Sequence, residues 1–145
     1  MAEAIAIVHA HLTARNDLSE LSRLSEFLAA FGARAGFSED FRGDLELALE
    51  EIFANAATYG HPEGGEHEIS IEISCDADDV VTLTIEDDGV PFNPLEARLV
   101  DLDLPLAERG VGGLGLHLVK GVMDDLEYAR LEGRNRFIMR KKIER

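Results

Sequence analysis

Apolar and polar positions follow two different periods along the chain, and each change of period marks a predicted element. Residues 4–12 (AIAIVHAHL) predict a first strand. Four apolar residues then recur at helical spacing: Leu21, Leu24, Leu28 and Phe31. Asp17 and Glu20 have the spacing of a capping box, in which each side chain bonds the other residue's backbone N–H, and Gly32 and Gly36 end the pattern. These residues predict a first helix.

A second helix is predicted from Ser38 to about Gly60. Serine is a favourable N-cap residue, and the two acids that follow it suit the positive end of a helix. One apolar stripe runs along this helix: Phe41, Leu45, Ala48, Ile52 and Ala56. At about 100° per residue, Asn55 lies only about 20° from Ala48, at the border of the stripe, and Glu51 lies about 40° further round.

Strict alternation predicts a hairpin of two strands, 67–74 and 80–87, separated by a turn at residues 76–79. Alternation places Asp87 on the apolar face of its strand, whereas Asp88 points the other way. A buried carboxylate needs a donor. That donor is either a local backbone N–H of the turn or a ligand group such as the amino group of adenine. In the second case Gly89 would let the backbone approach the ring closely.

The last part of the chain has a proline-containing segment without a sustained period, followed by a third helix from about Gly113 to Asp124. Strands 126–131 and 136–142 form a closing hairpin. The order of elements is strand, two helices, two strands, loop, helix and two strands. It predicts one domain over residues 1–145 with an α+β fold, a two-layer sandwich with the helices on one face of a mixed, mostly antiparallel sheet.

Composition narrows the classes of function. The chain has 145 residues and a net charge of −15, and a surface of that charge repels a nucleic-acid backbone. Cys75 is the only cysteine, which excludes an internal disulfide and indicates a reducing compartment. The first ten residues have no basic region, and no window approaches about 18 uninterrupted apolar residues. We therefore expect a cytoplasmic protein that binds neither nucleic acid nor a membrane directly.

The glycine-rich stretch 108–120 (ERGVGGLGLHLVK) contains the spacing G-x-G-x-x-G of a dinucleotide-binding loop. A Rossmann loop follows a buried strand and opens a βαβ unit, and neither feature is predicted here. A Walker A loop is excluded as well, because Gly115 is followed by Leu116 and His117 rather than by Lys and Ser or Thr. Two interpretations remain, a flexible turn before a helix or a set of backbone N–H groups that bind an anion.

Glu51 and Asn55 form a second pattern, E-x-x-x-N, on one face of the second predicted helix. A carboxylate and an amide oxygen at the edge of a core could meet a ligand and its magnesium ion, because magnesium prefers oxygen ligands. The alternative is that both are solvated polar residues of a helix. The spacing of His61, His67 and His117 does not indicate a metal site.

Taken together, in this order and spacing, the three motifs resemble the Bergerat-type ATP-binding fold of gyrases, heat-shock chaperones, histidine kinases and mismatch-repair ATPases. More narrowly, the chain is similar to the bacterial anti-sigma-factor serine kinases. The matching segments are EEIFANAATYGHP, EDDGVPFNP and RGVGGLGLHLVKGVMDDLEY, followed by EGRNRF. The chain departs from the wider pattern in two places. Many members carry a threonine near the final hairpin turn, where this chain has Gly133, Arg134 and Asn135, and several relatives have histidine where this chain has Tyr59.

The resemblance assigns roles to individual residues. It implies that Glu51 is the catalytic base, that Asn55 is the magnesium ligand, and that Asp87 binds adenine with Gly89 beside it. It also implies a short lid that covers the phosphates, formed by Arg109, Gly110, Gly112, Gly113 and Gly115. The implied cofactors are ATP and Mg²⁺.

The implied function is that of an ATP-dependent serine/threonine protein kinase acting as an anti-sigma regulatory factor. Its expected partners are a sigma factor, which it sequesters, and an anti-sigma-factor antagonist, which it phosphorylates on serine. A homodimer is expected from the resemblance alone, with the first strand and helix as candidate contacts. The alternative is an ATP-binding partner-switch module with little or no phosphotransfer. A histidine-kinase catalytic domain is disfavoured, because no helical dimerisation segment precedes the first predicted helix.

Overall fold

The computed structural model describes residues 6–96 and 113–144 of the chain. These residues form five strands and three helices in the predicted order. In sequence they are β1 (Ala6–Arg15), α1 (Leu21–Ala35), α2 (Glu39–Tyr59), β2 (Glu68–Asp76), β3 (Val80–Asp87), α3 (Gly113–Val122), β4 (Asp125–Leu131) and β5 (Arg134–Lys142).

The five strands form one sheet in the order β1-β2-β3-β5-β4, and every described pairing is antiparallel. In β3, at the centre, Ile85 pairs with Ile71 of β2 and with Phe137 of β5. The predicted α+β fold, with helices packed on a largely antiparallel sheet, is confirmed. The described strands include no parallel pair, so the sheet is more regular than the mixed sheet that we expected.

One face of the sheet is apolar, and the helices cover it. Alternate residues of β2 and β3 are buried while those between them remain partly exposed. The helices contribute large side chains with almost no exposure: Leu24, Leu28, Phe31, Leu45, Leu49 and Phe53. Burial of each stabilises the fold by about 1.5–3 kcal/mol. Among the described residues, no helix combines the length and apolarity needed to cross a lipid bilayer.

The predicted N-cap of α2 is confirmed, whereas the capping box predicted before α1 does not form. At α2, Ser38 Oγ accepts a hydrogen bond from the Phe41 N–H at 3.1 Å, as expected of an N-cap serine. The predicted capping box is wrong at Glu20. Its carboxylate accepts from the Arg15 N–H at 2.8 Å, because a short 3₁₀ turn precedes α1 and Glu20 is buried against β1. Asp17 does cap that turn, accepting from the Ser19 N–H at 2.9 Å.

Candidate functional site

A small pocket lies between the C-terminal half of α2 and the ends of β3 and β5. Its polar lining residues are Asn55, Asp87, Tyr128 and Asn135. Apolar side chains form the remaining walls, among them Ile52, Ile85, Phe92 and Phe137. The cavity measures about 20 Å³, which is space for about one water molecule. We call this region the inner pocket. The fold thus brings together two residues that the sequence singled out in separate motifs, Asn55 and Asp87.

Asp87 lies inside the pocket as strand parity predicts, with 6% of its surface exposed. Its Oδ1 accepts hydrogen bonds from the Gly89 N–H at 2.8 Å and from Asn135 Nδ2 at 3.0 Å. No described residue donates to Oδ2. A buried carboxylate is costly unless donors surround it, and here two donors share one oxygen while the other keeps its capacity to accept.

Asn135 is a pocket residue that the sequence interpretation missed, since it was noted only as a departure from threonine. Its Nδ2 also donates to the Val90 carbonyl at 2.9 Å. Its Oδ1 accepts from the hydroxyl of Tyr128 and from the Phe92 N–H, the latter at 3.2 Å. The available signal was parity, because Asn135 alternates with the buried Phe137 along β5. Asn135 therefore fixes both the Asp87 carboxylate and the segment that follows β3.

Gly89 is required by a close approach of two backbones. A Cβ at Gly89 would lie 2.6 Å from the Gly60 carbonyl oxygen and 2.9 Å from Asp87 Oδ1. The Val90 N–H donates to the same Gly60 carbonyl at 2.8 Å. The end of α2 is thereby joined to the end of β3, and this contact sets the distance between the two walls of the inner pocket.

Asn55 is 7% exposed, and so it is more deeply placed than the stripe border that the helical periodicity indicated. Among the described residues, none forms a hydrogen bond with its side-chain amide. Glu51 lies one turn earlier in α2, half-buried and beyond the lining of the pocket. Burial raises the pKa of the Glu51 carboxyl. Burial together with the charge of Glu46 raises the pKa of Glu50 as well, so this property does not by itself distinguish Glu51.

The glycine-rich segment is only partly within the described structure. Gly113 is the first residue of α3, where the sequence placed it, and Gly115 lies in the first turn of that helix. Arg109, Gly110 and Gly112 lie outside the described residues. The assignment of these five residues to a phosphate-covering lid remains a prediction.

On the other side of the Gly60–Gly89 contact, the fold assembles three residues that we call the histidine cluster: His61, His67 and Asp88. The two imidazole rings stack with centroids 3.4 Å apart and planes inclined by 8°. His61 Nε2 lies 3.0 Å and His67 Nδ1 3.5 Å from Asp88 Oδ1. Partial burial opposes ionisation of Asp88, but the hydrogen bond from His61 and the charges of the two histidines lower its pKa overall.

The histidine spacing gave no sign of this cluster, because the cluster depends on a loop that reverses direction. Gly64 and Gly65 adopt φ values of +81° and +98°, a region that residues with a Cβ rarely occupy. The reversal places His67 over His61 before β2 begins.

Residues 14–141 match the family of the histidine kinase-like ATPase domain. The chain belongs to this family. An ATPase domain of this kind implies that the chain binds ATP.

The curated relatives include serine-protein kinases named RsbW. The RsbW of Listeria monocytogenes serovar 1/2a is 30% identical over 142 residues, which span 92% of this chain and 88% of that protein. The RsbW of Bacillus mycoides is 26% identical over 153 residues, covering 99% of this chain and 92% of the relative. The predicted relationship to anti-sigma-factor serine kinases is thus confirmed at the level of homology.

Solved structures agree on the fold of this ATPase domain. The RsbU and RsbW domains of Rv1364c from Mycobacterium tuberculosis match with a TM-score of 0.67 and 14% identity. The match covers 93% of this chain and 32% of that one. A histidine kinase domain from Erythrobacter litoralis EL346 matches with a TM-score of 0.55 and 15% identity, over 86% of this chain and 60% of that one.

Proposed function

We propose that this ATPase domain is a serine/threonine protein kinase and anti-sigma regulatory factor. It would phosphorylate a serine of an antagonist protein and sequester a sigma factor. The observation that carries the proposal is the meeting of Asn55 and Asp87 on the lining of one pocket. Both side chains are nearly buried, and neither the Asn55 amide nor Asp87 Oδ2 has a hydrogen-bond partner among the described residues. The serine-kinase names of the RsbW relatives support the choice of phosphate acceptor.

Asp87 supplies the recognition of adenine in this proposal. Its Oδ1 is held by Gly89 and Asn135, so the carboxylate cannot rotate freely, and its Oδ2 is left to accept a hydrogen bond from the exocyclic amino group. The apolar walls formed by Ile52 and Phe137 suit the faces of a purine.

The inner pocket must enlarge before a nucleotide enters, since a purine is several times larger than the single water molecule that fits. Phe92 and Pro94 line the pocket on the segment that follows β3. Asn135 joins this segment to β5 through two hydrogen bonds: its Oδ1 accepts from the Phe92 N–H at 3.2 Å, and its Nδ2 donates to the Val90 carbonyl at 2.9 Å. We therefore expect nucleotide binding to displace the part of the segment beyond Val90, residues 91–96.

Asn55 is the proposed magnesium ligand, and its environment fits that role. Magnesium prefers oxygen ligands, and no described residue forms a hydrogen bond with the Asn55 amide. The bound ion would neutralise charge on the phosphates. Backbone N–H groups of Gly110, Gly112, Gly113 and Gly115, together with the guanidinium of Arg109, would add to that neutralisation. Such local compensation matters in a chain of net charge −15.

Glu51 is the proposed general base. It would accept the proton of the attacking serine hydroxyl while the new oxygen–phosphorus bond forms and the bond to the leaving ADP breaks. Its half-buried position favours this role, because burial raises the pKa and makes the carboxylate a better proton acceptor. Position on α2 matters more, since Glu51 is one turn from Asn55.

The proposed assembly is a cytoplasmic homodimer that binds one protein partner or the other. β1 lies at the edge of the sheet, where unpaired backbone groups are available, and α1 is adjacent to it. Light scattering with and without ATP tests the dimer, and a monomer at micromolar concentration in both conditions would contradict it.

The kinase activity is tested by incubating the protein with ATP labelled at the γ-phosphate, Mg²⁺ and candidate antagonist proteins. We expect label on a serine of one antagonist, and loss of transfer when that serine is replaced by alanine. If no antagonist is labelled and a partner binds only with ATP, the protein is a partner-switch module instead.

A further inference from the structure

The histidine cluster has the donor set of a transition-metal site. It offers one nitrogen each from His61 and His67 and one oxygen from Asp88, and these three ligand atoms lie within 4.8 Å of one another. Imidazole and carboxylate ligands together suit zinc and similar ions, whereas magnesium and calcium prefer oxygen alone. The chemistry of the set therefore differs from that of the proposed magnesium site at Asn55.

The distances are close to those around a tetrahedral ion. With metal–ligand bonds of about 2.0–2.2 Å, two ligands of a tetrahedral zinc ion lie roughly 3.3–3.6 Å apart. His67 Nδ1 lies within this range, 3.5 Å from Asp88 Oδ1, and His61 Nε2 lies 3.0 Å from the same oxygen, at hydrogen-bond distance. We propose that His61, His67 and Asp88 bind a divalent transition-metal ion, with Zn²⁺ as its best representative. This site is independent of the proposed kinase function.

The stacked rings show which ligand moves when the ion binds. An ion on a nitrogen lone pair lies in the plane of its ring, and two parallel rings 3.4 Å apart share no such point. One ring must therefore turn. The His61 side chain is the more buried of the two, with 13% exposed, whereas the His67 side chain is 33% exposed and lies in the loop beside Gly65. His67 is thus the ligand that rotates.

The surroundings leave room for the remaining coordination. The cluster lies on an open groove of about 610 Å³ that Glu63 and Arg130 also line. The groove is open to water, which can supply the fourth ligand. Arg130 Nη1 donates to the Gly89 carbonyl at 2.7 Å, so it is held toward the backbone.

Metal binding at this position would join two elements. His61 directly follows the end of α2 at Gly60, and Asp88 directly follows β3. The same two ends are already connected by the hydrogen bond from the Val90 N–H to the Gly60 carbonyl. A bound ion adds a second link beside it and stabilises the folded chain against unfolding.

The test is a calorimetric titration with zinc chloride. The protein is the full, untagged chain, stripped of metal with a chelator and free of nucleotide. We expect one ion per chain, a higher melting temperature with zinc, and no comparable heat with magnesium chloride. His67→Ala and Asp88→Asn should each weaken zinc binding at least about tenfold, since even loss of a residue behind a metal ligand costs about 10–100-fold.

The matched control is His9→Ala. His9 Nε2 lies 3.7 Å from Glu72 on the exposed face of the sheet, and among the described residues this pair belongs to no group of three metal-ligating side chains. Its loss should leave zinc affinity unchanged. Circular dichroism of each metal-free variant verifies that it folds.

A measurement on the unmodified chain keeps the test decisive if a variant fails to fold. In ¹⁵N-resolved spectra of the histidine rings, zinc should shift the signals of His61 and His67 and leave those of His9 and His11 in place. The proposal is overturned if no ion binds, if zinc shifts other histidines, or if His67→Ala and Asp88→Asn both bind zinc like wild type. A titration with cobalt in place of zinc gives a further check. An absorption band from a cobalt–thiolate bond would place the ion at Cys75 and would also overturn the proposal.

Discussion

The inner pocket and the histidine cluster lie on opposite sides of one backbone contact, between Gly60 and Gly89. Each contains one of two consecutive aspartates, and the two carboxylates differ in burial and in hydrogen-bond partners. Asp87 is 6% exposed and bonded to an amide and a backbone N–H. The side chain of Asp88 is 46% exposed and lies beside two imidazoles. Strand parity alone separates the two residues, because successive side chains of a strand point to opposite faces.

The difference shows how one strand end supports two kinds of chemistry. The inner side is narrow, and within the described residues neither the Asn55 amide nor Asp87 Oδ2 has a hydrogen-bond partner, which suits an organic ligand bound by directed hydrogen bonds. The outer side is open and offers imidazole nitrogens, which suits a metal ion. Substitutions on one side should therefore leave the other side's ligand unaffected.

The largest expected effect concerns Glu51, and it separates catalysis from binding on the inner side. Glu51→Ala should reduce phosphotransfer by ~10²–10⁴-fold, the usual range for a general base, while ATP affinity changes little. Burial raises the pKa of Glu51, so its carboxylate becomes protonated at a higher pH than that of an ordinary glutamate. As the pH is lowered, the wild-type rate should therefore begin to fall at that higher pH. The variant should lack this decrease.

Glu50→Ala is the control for that experiment, since burial raises the pKa of Glu50 too but the residue faces another direction of α2. It should transfer phosphate at nearly the wild-type rate. Single-turnover rates and calorimetric affinities measure the two quantities separately. Normal transfer by Glu51→Ala would remove Glu51 from the mechanism.

The next largest effect is expected at Asn55, where both binding and catalysis depend on one side chain. Asn55→Ala should weaken ATP binding in magnesium and lower phosphotransfer, because the ion anchors the phosphates as well as activating them. In the presence of a chelator, wild type and variant should bind ATP equally weakly. Titrations of both proteins with ATP, with magnesium and with a chelator, measure how far ATP affinity depends on magnesium in each. An equal loss of ATP affinity in the variant with and without magnesium would contradict the role of Asn55 as a metal ligand.

A smaller effect should distinguish the two sides of the strand directly. Asp87→Asn should weaken nucleotide binding about tenfold or more, because a hydrogen bond to a buried charge contributes ~1.5–3 kcal/mol. Asp88→Asn should change nucleotide affinity little, since its side chain points to the outer side. Calorimetry on the two variants gives the comparison. A greater loss of nucleotide affinity in Asp88→Asn than in Asp87→Asn would mean that strand parity does not identify the residue that binds the nucleotide.

The smallest expected effect concerns the contact that separates the two sides. Gly89→Ala should destabilise the fold by about 1–3 kcal/mol, because its Cβ would lie 2.6 Å from the Gly60 carbonyl oxygen and the backbones must move apart. Gly43→Ala in α2 is the control. A Cβ there meets nothing within 4 Å, so the change should stabilise by about 0.5–1 kcal/mol. Urea unfolding measures both, and a wild-type midpoint for Gly89→Ala would show that the contact tolerates a side chain.

The sequence predicted the features that depend on local periodicity. Alternation placed Asp87 inward and Asp88 outward, helical spacing placed Asn55 beside the apolar stripe, and Ser38 marked the start of α2. These predictions succeed because a strand or helix fixes the direction of each side chain relative to its neighbours. The order of elements and the spacing of the motifs were also sufficient to indicate the family and the fold.

Contacts between distant segments were decided only by the tertiary structure. Asn135 reaches Asp87 across 48 positions, and His61 reaches Asp88 across 27. Even the short-range prediction at Glu20 was wrong, because its carboxylate found a donor on the adjacent strand. Periodicity determines which face a residue occupies, but the partner it meets there depends on the strand order and on where each loop reverses. The sequence by itself therefore determined which side chains face inward, and the tertiary structure decided what those side chains bind.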